Sequence, residues 1–203
     1  MYLQGLEGLN VSSMLISNAK GLCEIDIHGS KRIQRLELGS NVMLQKLNCK
    51  DCSFLGYDDN YKVIDVSKCV NLKYIDLSGT KVGTLQLNEN GGALEYLNLA
   101  ESEITYLVCN YQEYLPAITL DGCANLSTVQ VTQCNALTTI TLPGSKIEDF
   151  RVTDCKKLDY INISNTSYLK TLDLTGCTGL RHLNMSGISS KSLTELDARS
   201  LSN

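Results

Sequence analysis

Cys49 and Cys52, in the segment Cys49-Lys50-Asp51-Cys52, have the C-x-x-C separation of half a zinc site. A closed site needs a second ligand pair at suitable spacing. Cys69 is a single candidate, and no histidine stands near it. The two histidines of the chain are His28 and His182. His182 could move a proton in a reaction only with a nucleophile or a second acid–base group within hydrogen-bond reach. One coil away the sequence offers Tyr160 and Asn162, which do not make such a pair. Asp58-Asp59 brings carboxylates together, but calcium takes roughly six to eight oxygens, and no repeating supply of them exists. The nucleophile-elbow, phosphate-loop, zincin and dinucleotide fingerprints do not occur. The residues that could do chemistry therefore assign no catalytic residue, no metal ligand and no cofactor.

The nine cysteines follow another logic. Their number is odd, and their spacing follows a repeat rather than pairs. Cys69, Cys134, Cys155 and Cys177 each fall eight residues after the start of one kind of repeat. Asn90 and Gln112 fill the two such slots between Cys69 and Cys134. Cys52 and Cys123 occupy the same slot of a second kind, alongside Thr80, Ser102, Ser145 and Thr166. The slot asks for a small side chain that bonds nearby backbone or simply packs, and a thiol does both. Cys49 and Cys109 take an inward strand position, and Cys23 alone falls outside the scheme. This predicts reduced, packed thiols rather than a disulfide framework.

The elements that must position these residues are set by a leucine ladder. Leu72, Ile75 and Leu77 make one rung and Leu94, Leu97 and Leu99 another. Leu126, Val129 and Val131 follow, then Ile147, Phe150 and Val152, then Leu169, Leu172 and Leu174. Seventeen such rungs can be placed, from Leu6-Leu9-Val11 to Leu193-Leu196-Ala198. Two kinds alternate, a tyrosine rung (LKYIDLSGT, LEYLNLAES, LDYINISNT) and a cysteine rung (LSTVQVTQC, IEDFRVTDC, LKTLDLTGC), so one coil is two rungs. Alternate side chains of a strand point to opposite faces, so Ile75 and Leu77 point in while Tyr74 and Asp76 point out. Coils stack about 4.8 Å apart, giving a rod on the order of 40 Å. Connections are too short for full helices. The expectation is a β-rich solenoid, a right-handed coil with two parallel β-sheets and little helix, forming one domain over residues 1–203. The rhythm breaks twice, between Leu6 and Leu22 and between Leu44 and Tyr61; the second break carries SFLGYDDNY, expected to bulge as a loop.

Composition narrows the function. Hydrophobic residues are 43% of 203, with no Trp and only two Phe, enough to fill a core that grows along an axis. The formal net charge is −4 and the Lys and Arg residues are scattered, which argues against nucleic acid and anionic membrane as partners. No apolar run is long enough to span a bilayer. The N-terminus, MYLQGLEGLNVSS, lacks the basic and apolar regions of a signal peptide. Neither end shows a capping segment, which reads as a piece of a larger protein or as ends through which an assembly forms.

The rung L-x-x-L-x-L-x-x-N/C resembles the leucine-rich-repeat signature, and the two-rung coil resembles the short bacterial repeats of internalin-like proteins. LQKLNC (Leu44–Cys49) and ITYLVC (Ile104–Cys109) are similar to the cysteine-containing type, and IDVS (Ile64–Ser67) and IDLS (Ile75–Ser78) to its alternating partner. CNALTTITLP, residues 134–143, resembles BspA-like repeats. The asparagine that follows the strand in the signature is clear only at Asn90, where elsewhere Cys, Thr or Ser stands. The resemblance covers essentially the whole chain. It implies a non-enzymatic adhesion or recognition module of a bacterial surface or secreted protein, binding a protein or glycan. The alternative is a structural component of a larger assembly such as a bacteriophage virion or fibre.

The outward positions of the tyrosine rungs carry the candidate ligand-binding face. Its first column contains Tyr74, Tyr96, Tyr160 and His182, and its second Asp76, Asn98, Asn162 and Asn184. Tyrosine offers a ring and a hydroxyl and is enriched at binding hot spots. Tyrosine and threonine are also good strand formers, so a ladder that only stabilises the stack is the competing reading. The cysteine rungs present Thr84, Gln86, Tyr106, Val108, Thr128, Gln130, Asp149, Arg151, Thr171 and Asp173, which reads as ordinary soluble sheet.

Overall fold

A computed structural model describes residues 1–6, 10–189 and 193–197. Its strands begin with β1 (Tyr2–Leu3), β2 (Ser13–Leu15), β3 (Glu24–Asp26), β4 (Arg35–Glu37), β5 (Lys46–Asn48) and β6 (Val63–Asp65). They continue with β7 (Tyr74–Asp76), β8 (Thr84–Gln86), β9 (Tyr96–Asn98), β10 (Tyr106–Asn110), β11 (Ala117–Thr119) and β12 (Thr128–Thr132). The last are β13 (Thr139–Thr141), β14 (Asp149–Thr153), β15 (Tyr160–Asn162), β16 (Thr171–Asp173), β17 (His182–Asn184) and β18 (Glu195–Asp197). Odd-numbered strands form one nine-stranded parallel sheet; β6 to β18 form a seven-stranded sheet, and β2 pairs with β4. Tyr74 pairs with Tyr96 and Tyr160 with His182, so one turn of this parallel β-solenoid is about 22 residues. The only helical segment among the described residues is a 3-10 turn, Asp59–Tyr61. No helix there is long and apolar enough to cross a membrane.

The rung explains the core. Its three apolar positions close on one another from both sheets: Leu72, Ile75 and Leu77 are buried, as are Leu126, Val129 and Val131. Each fully buried Leu or Ile contributes roughly 1.5–3 kcal/mol, and a core built one turn at a time needs no long-range knob to hold it. The chain then turns with a residue at positive φ directly ahead of the ladder slot. Gly122 (φ 75°) precedes Cys123, and Gly176 (φ 77°) precedes Cys177. Glu101 and Asp154 adopt the same conformation ahead of Ser102 and Cys155, at the steric cost that glycine avoids.

The slot itself is buried and polar. Thr80 Oγ1 donates to the Leu77 carbonyl (2.7 Å) and Thr166 Oγ1 to that of Ile163 (2.8 Å). Cys52 Sγ donates to the Ile27 carbonyl (3.0 Å), Cys123 to Leu99 (3.0 Å) and Cys177 to Val152 (3.1 Å). All nine cysteines carry free thiols. Burial pushes the Cys52 thiol up to about 12. Contact with the Cys109 thiol, then burial, does the same to Cys134.

Three expectations need correction. The first rung is not Leu6-Leu9-Val11. The strands lie on either side of it, at β1 and β2, and Val11 is exposed while Met14 packs on the core. The rung is therefore V-x-x-M-x-I, one coil below Arg35–Glu37, and the apparent long gap to Leu22 disappears. Leu9 and Ala198 lie outside the described residues. Asn90 is exposed and does not fill the slot; Gly92 pairs with Gln112 there instead. The asparagine that does occupy a slot is Asn41. It is fully buried, accepts from Ala19 N (2.8 Å) and donates to the Leu38 (2.6 Å) and Ile16 (3.0 Å) carbonyls.

The insertion at 53–61 is half loop and half wall. Phe54 and Tyr57 are exposed with rings 5.6 Å apart, while Leu55 is fully buried. Gly56 N donates to the Gln34 carbonyl (3.0 Å), and Lys81 N donates to the Leu55 carbonyl (2.8 Å). A Cβ on Gly56 would stand 2.7 Å from the Lys81 carbonyl oxygen, so only glycine fits. The segment thus bonds to the chain ahead of β4 and ahead of β8, at the point where the even-numbered strands divide into two sheets.

Candidate functional site

The candidate face is the outward surface of the nine-stranded sheet. A parallel ladder without slip puts every first strand residue in one column and every third in another. Tyr74 and Tyr96 stack in the first column with ring centroids 4.4 Å apart and planes 5° apart. Tyr160 and His182 are neighbours in the same column. Between the two pairs stand only Ala117 and Thr139. At about 4.8 Å per strand, the pairs are about 14 Å apart, so the eight residues make two patches rather than one strip.

The Tyr74–Tyr96 patch is continued below by residues that the tyrosine pattern alone does not mark. Lys46 Nζ lies 5.7 Å from the centre of the Tyr74 ring. It donates to Glu24 Oε1 (2.7 Å) and Asp26 Oδ2 (3.1 Å). Asp26 also accepts from Asn48 Nδ2 (3.1 Å) and lies 2.6 Å from His28 Nδ1. Burial alone would raise the Asp26 pKa, but the hydrogen bonds from His28, Asn48 and Lys46 outweigh it and hold the carboxyl well below the usual range. The hydrogen bond to Glu24 raises Lys46 against an opposing burial effect. Glu24, Asp26, Lys46 and Asn48 sit two and four residues after Leu22 and Leu44. Applying the outward offset to those rungs would have found them.

The second column has a structural duty. The Oδ1 of Asp76 accepts from Ser78 N (3.0 Å), that of Asn98 from Ala100 N (3.1 Å), that of Asn162 from Ser164 N (3.1 Å) and that of Asn184 from Ser186 N (3.1 Å). These are Asx turns, in which a side chain replaces the next ladder acceptor. Asp76, expected to point out, is 3% exposed, because Tyr96 Oη (3.5 Å) and Asn98 Nδ2 (3.4 Å) cover its Oδ2. Asn98, Asn162 and Asn184 are half-buried. In the first column Tyr96 is exposed and Tyr74 half-buried. Burial, then the Asp76 charge, pushes the Tyr74 hydroxyl up to about 12, so it remains a donor.

The second patch is more open. His182 Nδ1 lies 3.6 Å from Asp159 Oδ1, which is also held by Arg181 at 2.7 Å. The Arg181 hydrogen bond holds Asp159 below its ordinary value. Among the described residues no group of three or more His, Cys, Asp or Glu side chains is placed to hold a metal ion. Cys49 and Cys52 are both fully buried, Cys52 with its thiol on a carbonyl. The face offers flat rings, amide donors and acceptors and a buffered Lys–Asp–Glu cluster, which suits binding. No family model, curated protein or solved structure matches this chain.

Proposed function

We propose that the chain is a non-enzymatic recognition module of the leucine-rich-repeat kind, from a bacterial surface or secreted protein, that binds a protein or a glycan on the nine-stranded sheet. The observation that carries the reading is the parallel Tyr74–Tyr96 stack. Two rings held flat, one exposed and braced from below by Lys46, present a rigid amphipathic platform whose ordering cost is already met by folding. Tyr160 and His182 supply a second contact about 14 Å away, a separation that an extended peptide or an oligosaccharide can bridge. The internalin-like and BspA-like character of the rungs supports placement outside the cell.

The test is a screen of the chain on arrays of glycans and of extracellular-matrix proteins, followed by Tyr96→Ala and Tyr160→Ala, singly and together. Both side chains lie on the surface side of the sheet, so melting should change little. The reading holds if a specific hit weakens by at least about tenfold in the double variant. It fails if both arrays stay silent, or if binding survives the double variant intact.

A further inference from the structure

The seven-stranded sheet contains one local break. Val82 and Leu94 start successive rungs separated by the extra residue of LNENGG, residues 87–92. β8 pairs with β6 over three residues but with β10 only at Tyr106↔Thr84. β10 runs on to Asn110, fully paired to β12 on its far side, while the chain leaving β8 swings away. It returns to the ladder at Gly92, opposite Gln112.

Two spaces result. The outer one is a cleft of about 490 Å³ whose lining includes Gln86, Asn88, Asn90, Tyr106, Val108 and Asn110, together with the charged pair Lys68 and Glu89. The inner one, about 20 Å³, lies where the other coils place a ladder side chain and Gly92 has none. Leu87 and Asn88 line both. Gln112, which is 1% exposed, lines the inner space, and its Oε1 has no hydrogen-bond partner. Its Nε2 donates to the Asn110 carbonyl (3.2 Å). Asn110 Oδ1 is likewise buried and without a partner. One of these buried acceptors belongs to a residue of the inner space and the other to a residue of the outer cleft. Native proteins normally satisfy such groups with water or ligand.

The chemistry of the lining selects the occupant. The cleft's polar lining is dominated by amides, which carry no charge and both donate and accept, so nothing in it selects for an anion. Lys68 and Glu89 cancel, so the site favours no net charge. Four amide side chains match a molecule that donates and accepts at several points. Tyr106, exposed on the outer surface, and Val108 add an apolar wall. We infer that this cleft is a saccharide site that takes a neutral sugar, its C–H face on Tyr106 and Val108 and its hydroxyls on the amides around them. The volume falls in the ordinary range for small-molecule sites. The inner space is large enough for one water or one hydroxyl.

The site stands on the other sheet from the Tyr74–Tyr96 platform, so the two readings fail separately. The probe is a panel of neutral mono- and disaccharides, including glucose, galactose, mannose, N-acetylglucosamine, lactose and cellobiose. Saturation-transfer NMR on the whole chain reads binding, and titration of any positive sugar gives its affinity. The expected result is at least one positive sugar whose affinity falls by about tenfold or more in Tyr106→Ala and in Gln86→Ala. Tyr96→Ala should leave it unchanged, and Tyr106→Phe should retain most of it. Silence across the panel up to millimolar concentration overturns the inference. So does a sugar whose binding survives both Tyr106→Ala and Gln86→Ala, or one lost only in Tyr96→Ala. Unchanged melting of Gln86→Ala and Tyr106→Phe keeps loss of fold out of the result.

Discussion

Replacing Asp76 by alanine and by asparagine should give two different proteins. Its carboxylate accepts from the backbone N–H of Ser78 (3.0 Å) and from the Ser78 hydroxyl (2.6 Å), and Ser78 is itself buried. Alanine deletes both acceptors and leaves a covered N–H with nothing to bond. A hydrogen bond to a charged acceptor is worth about 1.5–3 kcal/mol. The hydroxyl can rotate to another acceptor, so the loss in Asp76→Ala is one full bond and part of a second, about 2–4 kcal/mol. Asparagine keeps an oxygen in the Oδ1 position. Asn48, Asn98, Asn162 and Asn184 already do this work at the equivalent positions. What Asp76→Asn gives up is the charge facing two long contacts, Tyr96 Oη and Asn98 Nδ2, which is about 1 kcal/mol or less. Stability in a stacked repeat is a sum of neighbouring terms, so the damage should centre on the turns that carry β7 and β9. Urea denaturation of the two variants measures the difference, and hydrogen exchange locates it. The reasoning is refuted if alanine and asparagine cost the same, or if amides far along the rod exchange as fast as that of Ser78.

Iodoacetamide should modify only Cys23 in the folded chain, since the other eight thiols are buried; two or more adducts by mass spectrometry before unfolding would contradict the packing. Ser145 Oγ is buried without a partner, so Ser145→Ala should be neutral or stabilising by up to about 1 kcal/mol. Thr166→Val deletes the 2.8 Å bond to the Ile163 carbonyl and should cost about 1–2 kcal/mol; the opposite order in melting would show that the slot is not selected for hydrogen bonding. The lowered Asp26 pKa makes ionised Asp26 stabilising above its unfolded value near 4, and this contribution is lost as pH falls below that toward the folded value. Wild type should therefore lose urea midpoint more steeply than Asp26→Asn between about pH 5 and pH 2, and equal slopes would remove Asp26 from the acid limb. Lys46 works in reverse, its raised pKa giving support that is complete below about pH 10.4 and disappears as pH rises past the folded value.

The leucine period carried the fold because a two-rung coil leaves the chain one way to bury three apolar residues per strand. The cysteine slot was legible for the same reason, since a position filled mostly by Cys, Ser, Thr and Asn is a position under backbone; Gln112 is the longer exception, and it stands opposite Gly92. Errors arose where a rung is not built of leucine. V-x-x-M-x-I at Val11–Ile16 was hidden by the stronger apolar pattern of Leu6 and Leu9, although register with β4 requires it. Asn90 looked like a ladder asparagine because counting from Val82 ignores the two-residue shift in register between Thr84↔Tyr106 and Gly92↔Gln112. Tyr74 and Tyr96 were visible as a pair, but their stacking, the burial of Asp76 and the support from Lys46 depend on contacts between coils. No single rung contains them.

An Asx as the third residue of a strand ends it at three residues in this solenoid, and that bears on what the two faces offer a partner. Where the third residue is Asp26, Asn48, Asp76, Asn98, Asn162 or Asn184, its side chain captures the N–H two positions on and the strand stops at three residues. Asp65 and Asp173 do the same on the other sheet. Where the third residue is Val108, Gln130 or Arg151, no such capture is available, and β10, β12 and β14 run for five. An Asx side chain competes with the ladder for the same donor, so its absence permits a longer strand, which β10, β12 and β14 form while β2, β4, β8, β11 and β13 stop at three without an Asx. Three consecutive long strands widen the seven-stranded sheet just where β8 turns away. The cleft beside β10 is thus the meeting of two local choices, a missing Asx at Val108 and an extra residue before Leu94. On the nine-stranded sheet the Asx column is repeated more often, so that face is narrower and its reach toward a ligand rests on the tyrosine column alone.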